Sequence, residues 1–222
     1  MIELSIQSIK PYLQDEFLFE QKFNTLNSLR KDKITALKKR EDQCRSLAAG
    51  VLLQNALEKA GIDDRSVQFQ VNEHGKMSIA EYPDFYFNLS HSGDYAVCAV
   101  ADQPVGIDIE KIRGRKEAQL QRLIRHVCTE EEKERLMCFD GERLEEEFVR
   151  IWTKKESYTK AMGMGLQIPF HEVNTLQQGF YYLNETLEGY MICAATIESQ
   201  TCICQEQMVT SIGRRNAECM TN

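Results

Sequence analysis

Long apolar runs are missing from this chain of 222 residues, so no membrane-spanning helix is expected. Residues 1–10 lack a basic stretch followed by an apolar one, so no secretion signal is expected either. There is no C-x-x-C pair, and histidine is scarce at four residues, which argues against a zinc site. The lone C-x-C of Cys202 and Cys204 has no histidine near it. Of the eight cysteines (44, 98, 128, 138, 193, 202, 204 and 219), Cys98 and Cys193 sit in apolar runs and read as small hydrophobes. A reducing, cytoplasmic setting suits that usage. An excess of positive charge is lacking too: 27 basic against 34 acidic residues give a net charge of -7, which argues against nucleic-acid binding. With neither G-x-x-x-x-G-K-[ST] nor G-x-S-x-G present, P-loop nucleotide chemistry and a serine-hydrolase elbow are not expected. Only 4 prolines and 12 glycines occur, so disorder is expected only in the polar tail, 199–222.

What is present suits one large domain or two small ones, with 42% hydrophobic residues to build a core. Residues 30–60 read as helix, closed by Gly61. Strands are expected at 67–71, 85–89, 95–101 and 105–110, with a turn at 90–94. The second half repeats this order loosely: helix over 116–136, helix over 145–162, and strands near 172–176, 180–183 and 190–196. Tyr95-Ala96-Val97-Cys98-Ala99 is similar to Tyr190-Met191-Ile192-Cys193-Ala194. The reading is an α+β fold of two similar halves, 1–104 and 105–198, followed by the tail.

In the strand Gly106-Ile107-Asp108-Ile109-Glu110, alternation sends Ile107 and Ile109 to the core and leaves Asp108 and Glu110 side by side on the other face. Two like charges at that spacing repel unless a cation lies between them, and a hard cation such as magnesium accepts carboxylate oxygens. An exposed strand face carrying two acids is the plainer alternative. Phe148, Trp152, Glu156 and Lys160 recur every fourth residue and form one helical stripe that emerges from the core as an acid and a base. An ordinary Glu-to-Lys pair on an exposed helix remains open there. Ser90 and His91 offer a hydroxyl and an imidazole for a phosphate, or simply make a polar turn. Arg30, Lys31, Lys33, Lys38, Lys39, Arg40 and Arg45 gather in the first half, mostly as solvated helix faces. Arg45, next to an apolar run, is the one whose planar fork suits a phosphate monoester.

Together Glu73-His74-Gly75-Lys76, Phe87-Asn88-Leu89-Ser90-His91-Ser92-Gly93, Gly106-Ile107-Asp108-Ile109-Glu110-Lys111 and Trp152-Thr153-Lys154-Lys155-Glu156-Ser157-Tyr158-Thr159-Lys160 resemble the surfactin-synthetase-activating type of 4'-phosphopantetheinyl transferase, over roughly residues 20–197. The resemblance implies a monomeric pseudo-dimer with coenzyme A between the halves and Mg2+ on Asp108, Glu110 and Glu156. It implies Arg45, Ser90 and His91 at the 3'-phosphate, with Lys33 as a further phosphate contact. Lys76 would lie by the adenine, and Lys155 and Lys160 by the pyrophosphate. The implied reaction moves the phosphopantetheine arm to a serine of an apo acyl or peptidyl carrier protein and releases 3',5'-ADP. Glu156 or Glu131 would act as base, Lys160 would assist the leaving group, and the carrier would dock near residues 113–125. The carrier's pathway, whether fatty-acid, polyketide or peptide synthesis, stays open. Two alternatives are a non-catalytic coenzyme A-binding regulator and a metal-dependent phosphohydrolase.

Overall fold

Strand β1 (Ile2–Ser8) alternates Ile2, Leu4 and Ile6 on one face, which makes it a half-buried strand. Helices α1 (Lys10–Gln14), α2 (Glu16–Thr25), α3 (Ser28–Thr35) and α4 (Arg40–Lys59) follow, then the hairpin β2 (Phe69–Val71) and β3 (Met77–Ile79). Next come β4 (Tyr86–Ser92), β5 (Tyr95–Ala101), β6 (Val105–Lys111), α5 (Glu117–Val127), α6 (Glu130–Leu136) and α7 (Gly141–Met162). β7 (Phe180–Leu187) and β8 (Tyr190–Ile197) complete the order. The computed structural model describes residues 1–165, 168–177 and 180–197; the tail, with Cys202, Cys204 and Cys219, lies outside the described residues.

The two halves share one topology. The first sheet runs β1-β5-β4 and the second β6-β8-β7, each antiparallel, with the last strand in the middle. The similar segments at 95–99 and 190–194 therefore fall on the two central strands, as duplication requires. On β5, Ala96 and Cys98 face the first half's helices, while Val97 and Ala99 join Ile107, Ile109, Tyr190 and Ile192 in a core shared by the two sheets. Five layers result: helices, sheet, shared core, sheet, helices. Cys44, Cys98, Cys128 and Cys193 are buried free thiols, and burial pushes the last three up to about 12.

Several elements depart from expectation. The helix expected over 30–60 is two, with Asn27 capping α3 through Arg30 N–H and Gln43 Nε2 taking the Leu37 carbonyl in the break. The helix expected over 116–136 is divided at Thr129, whose hydroxyl and Glu132 form a capping box that starts α6. A strand expected near 172–176 is a 3-10 turn, Phe170–Glu172, followed by irregular chain. Ser90 and His91 lie inside β4 rather than in a turn, which begins only at Gly93.

Candidate active site

Glycine at 106 lets α7 lie directly on β6, since a Cβ there would overlap the backbone of Ser157 and Ala161. This contact brings Glu156 and Lys160 down onto the acidic face of the strand. Ile107 and Ile109 are fully buried in the shared core, so Asp108 and Glu110 share the opposite face, beneath α7. Asp108 is only 4% exposed. Lys160 Nζ donates to Asp108 Oδ1 at 2.6 Å, to the Ile107 carbonyl at 3.1 Å and to Ser90 Oγ at 3.2 Å. Burial, and then the charge of Asp108, raise the Glu110 carboxyl above its ordinary value. Burial also raises Glu156; Lys160 pulls it down, and Asp108 and Glu110 push it up. The three acids therefore sense one another, as like charges in a half-dry site must.

One cavity opens beside this cluster, lined by Arg30, Lys33, Ser46, Gly75, Lys76, Asn88, Ser90, His91 and Lys160 among others. Lys33, Lys76, Ser90, His91 and Lys160 are thus brought together. Desolvation lowers the His91 imidazole, with Arg45, Lys33 and Lys160 adding to the effect, so the ring is neutral in the free chain near pH 7. Desolvation and then Arg30 lower the Lys33 ammonium. Burial lowers Lys76 to about 8, and its Nζ donates to the carbonyls of Ala161 (2.7 Å) and Val105 (3.3 Å), fastening the β2–β3 hairpin to the second half. Arg45 stands near His91, but its fork is engaged by the Gly93 carbonyl (2.9 Å) and Asp42 (2.6 Å).

Two expected site residues sit elsewhere. Lys155 is 0% exposed, and its Nζ meets Glu132 at 2.6 Å and the carbonyls of Phe170 and Val173. One residue along a helix is a rotation of about 100°. While Glu156 turns toward the acids, Lys155 therefore points at α6, as a buried structural cation rather than a pyrophosphate contact. Glu131 is exposed on α6 and bonds Asn174; its neighbour Glu132 is the buried acid. The T-x-x-E spacing of Thr129 and Glu132 is the signal that separates them. Arg30, expected on a solvated face, is 4% exposed. Within α3 it stands four residues before buried Ile34, the i,i+4 spacing that marks a shared inward face.

The family description "4'-phosphopantetheinyl transferase, N-terminal" matches residues 10–103, and "4'-phosphopantetheinyl transferase superfamily" matches residues 104–211. The 4'-phosphopantetheinyl transferase Sfp of Bacillus subtilis (strain 168) is 31% identical over 161 residues, 72% of this chain and 69% of that protein. The chain belongs to the 4'-phosphopantetheinyl transferase family. A second transferase, from Bacillus subtilis, is 37% identical over 131 residues, 59% of this chain and 57% of the relative. The holo-[acyl-carrier-protein] synthase of Thermotoga maritima overlaps 44% of this chain and 64% of its own, at 19% identity and a TM-score of 0.36. Among the described residues of this transferase, no helix is long and apolar enough to cross a membrane.

Proposed function

We propose that this transferase moves the 4'-phosphopantetheine arm of coenzyme A onto a serine of an apo acyl or peptidyl carrier protein, releasing 3',5'-ADP, with Mg2+ as cofactor. One observation carries the reading. Among the described residues, the buried side-chain polar atoms without a partner are Arg30 Nε and Nη2, Ser46 Oγ and Asp108 Oδ2. Arg30 and Ser46 line the cavity, and Asp108 is hydrogen-bonded to two of its lining side chains, Ser90 and Lys160. Buried polar atoms are nearly always satisfied in folded proteins, so this convergence supports a polar ligand in that cavity. Arg30 and Lys33 offer cations, Ser46 a hydroxyl and His91 an imidazole to the 3'-phosphate. Lys76 and Gly75 flank the adenine, and Lys160 faces the pyrophosphate.

Asp108, Glu110 and Glu156 would hold Mg2+. No three acidic, histidine or cysteine side chains among the described residues are gathered tightly enough to enclose a cation unaided. Magnesium does not require that: it is commonly held by one or two carboxylates, with substrate phosphates and water completing its shell. The unpartnered Asp108 Oδ2 and the raised Glu110 and Glu156 suit such an ion, which would offset charge on the pyrophosphate as it is split.

The carrier's serine oxygen bonds to the β-phosphorus while the bond from that phosphorus to the bridging oxygen breaks. The hydroxyl proton passes to a carboxylate. Glu156 is better suited than Glu131, because it lies among Asp108, Glu110 and Lys160, whereas Glu131 is exposed on α6 and bonds Asn174. Lys160 stabilises the departing oxygen. The exposed Arg113, Lys116, Arg122 and Arg125 on and before α5 offer a basic surface to an acidic carrier helix.

The test combines the protein, coenzyme A, Mg2+ and an apo carrier, and weighs the carrier. A gain equal to the phosphopantetheine arm is expected; no gain on any of several carriers, with coenzyme A still bound, would leave a coenzyme A-binding regulator instead. Asp108→Ala should lose the transfer while keeping a native circular dichroism spectrum, and normal Mg2+-dependent turnover in that variant would refute the metal set. His91→Ala should chiefly raise the KM for coenzyme A.

A further inference from the structure

β4 and β6 run alongside each other across the seam between the halves, yet they belong to different sheets and share no backbone ladder. Side chains take the ladder's place. Asn88, Ser90 and Ser92, alternate residues of β4, all reach β6. Asn88 Oδ1 accepts from Ile107 N at 2.9 Å, and Ser90 Oγ donates to Asp108 Oδ1 at 2.9 Å. Ser92 Oγ donates to Glu110 Oε2 at 3.1 Å and accepts from Lys111 N at 3.3 Å. The two strands therefore stand a side chain apart, and the acids of β6 lie in that gap.

Ser92 differs from Ser90 in one respect: it does not line the cavity, and at 7% exposure it has little access to any ligand. A serine has one proton to donate. With the Lys111 amide holding a lone pair of Oγ, that proton is directed at Glu110 Oε2. Arg113 and Arg115 also act on this carboxylate, but the exposed Arg113 comes only to 3.7 Å of Oε2 and holds it loosely. We propose that Ser92 is a positioning residue for Glu110: it anchors one carboxylate oxygen and so limits rotation of the carboxyl group that would grip the divalent cation. This rests on the reading of Glu110 as part of the Mg2+ site.

Calorimetric titration of Mg2+ into the full chain saturated with coenzyme A, with no carrier present, tests the inference without using turnover. Loss of a group that orients a metal ligand weakens metal binding by about 10–100-fold. Ser92→Ala should therefore raise the apparent Kd for Mg2+ by about ten-fold or more. Coenzyme A binding measured in EDTA should stay unchanged, and Ser92→Thr should restore Mg2+ binding. Should Ser92→Ala be too unstable to purify, Ser92→Cys replaces the hydroxyl by a weak donor of similar shape and serves the same comparison. Wild-type Mg2+ affinity in Ser92→Ala or Ser92→Cys overturns the positioning role alone. Equal losses of Mg2+ and coenzyme A binding overturn it too, because Ser92 would then merely hold the seam. No Mg2+ uptake by the wild-type chain overturns both this inference and the metal reading beneath it.

Discussion

Glu110 and Glu156 hold their protons more tightly in the folded chain than a free glutamate does, and burial is the first cause in both. A folded-state pKa above the unfolded value gives stability that is complete below the ordinary value of 4.5 and is lost as pH rises through the folded value. At neutral pH the free enzyme therefore carries an electrostatic strain. Glu110→Gln should melt above wild type at pH 7.5, by about 2–4 °C for each kcal/mol recovered. The gap should narrow toward pH 5, and also when Mg2+ and coenzyme A are added to wild type. Thermal melts that put Glu110→Gln below wild type throughout would contradict this. Lys155 behaves oppositely: removing one partner of a buried ion pair costs about 3–5 kcal/mol. Lys155→Met should lower the melting temperature by about 6–20 °C. An unchanged melt with a raised KM for coenzyme A would return it to the pyrophosphate. Sequence made Asp108, Glu110 and the stripe to Lys160 legible because alternation and helical period fix which way they point. It missed Arg30 and misassigned Lys155, because their roles depend on which neighbouring element covers a helix face.

At the scale of elements, the contact of α7 on β6 decides whether the acids meet. Gly106→Ala places a methyl group against helix backbone, not against a yielding side chain. Overpacking of this kind costs about 1–3 kcal/mol, and here it would lift Glu156 and Lys160 away from Asp108. The variant should unfold at lower denaturant and lose transfer more than tenfold, about 1.4 kcal/mol of misplaced stabilisation. Chemical denaturation and carrier labelling measure the two effects separately, and normal labelling would mean that the helix does not need to sit so close. A continuous apolar run revealed β5, alternation revealed β6, and the four-residue stripe revealed α7. The breaks in the two composite helices were hidden for different reasons. No glycine or proline marks residues 36–39, where a side-chain amide captures a carbonyl, while at Thr129 the capping box was present but obscured by three consecutive glutamates. β1 was passed over, although Ile2, Leu4 and Ile6 alternate along it as apolar residues do in a half-buried strand.

At the scale of the molecule, duplication organises everything above. Each half has a sheet with its last strand in the middle, and the cavity and the acids lie where the halves meet: Ser90 and His91 come from one, Asp108 and Lys160 from the other. Neither half holds a complete site. Only residues 102–104 separate β5 from β6, so a tether of three residues keeps the partners together. Short tethers of this kind give effective concentrations of order millimolar. Were the chain cut there and the two fragments diluted below the affinity of their shared core, labelling would become a second-order event whose rate falls with the square of dilution, whereas the uncut chain loses rate only in proportion. The three linking residues thereby make the enzyme's competence independent of how many copies a cell contains.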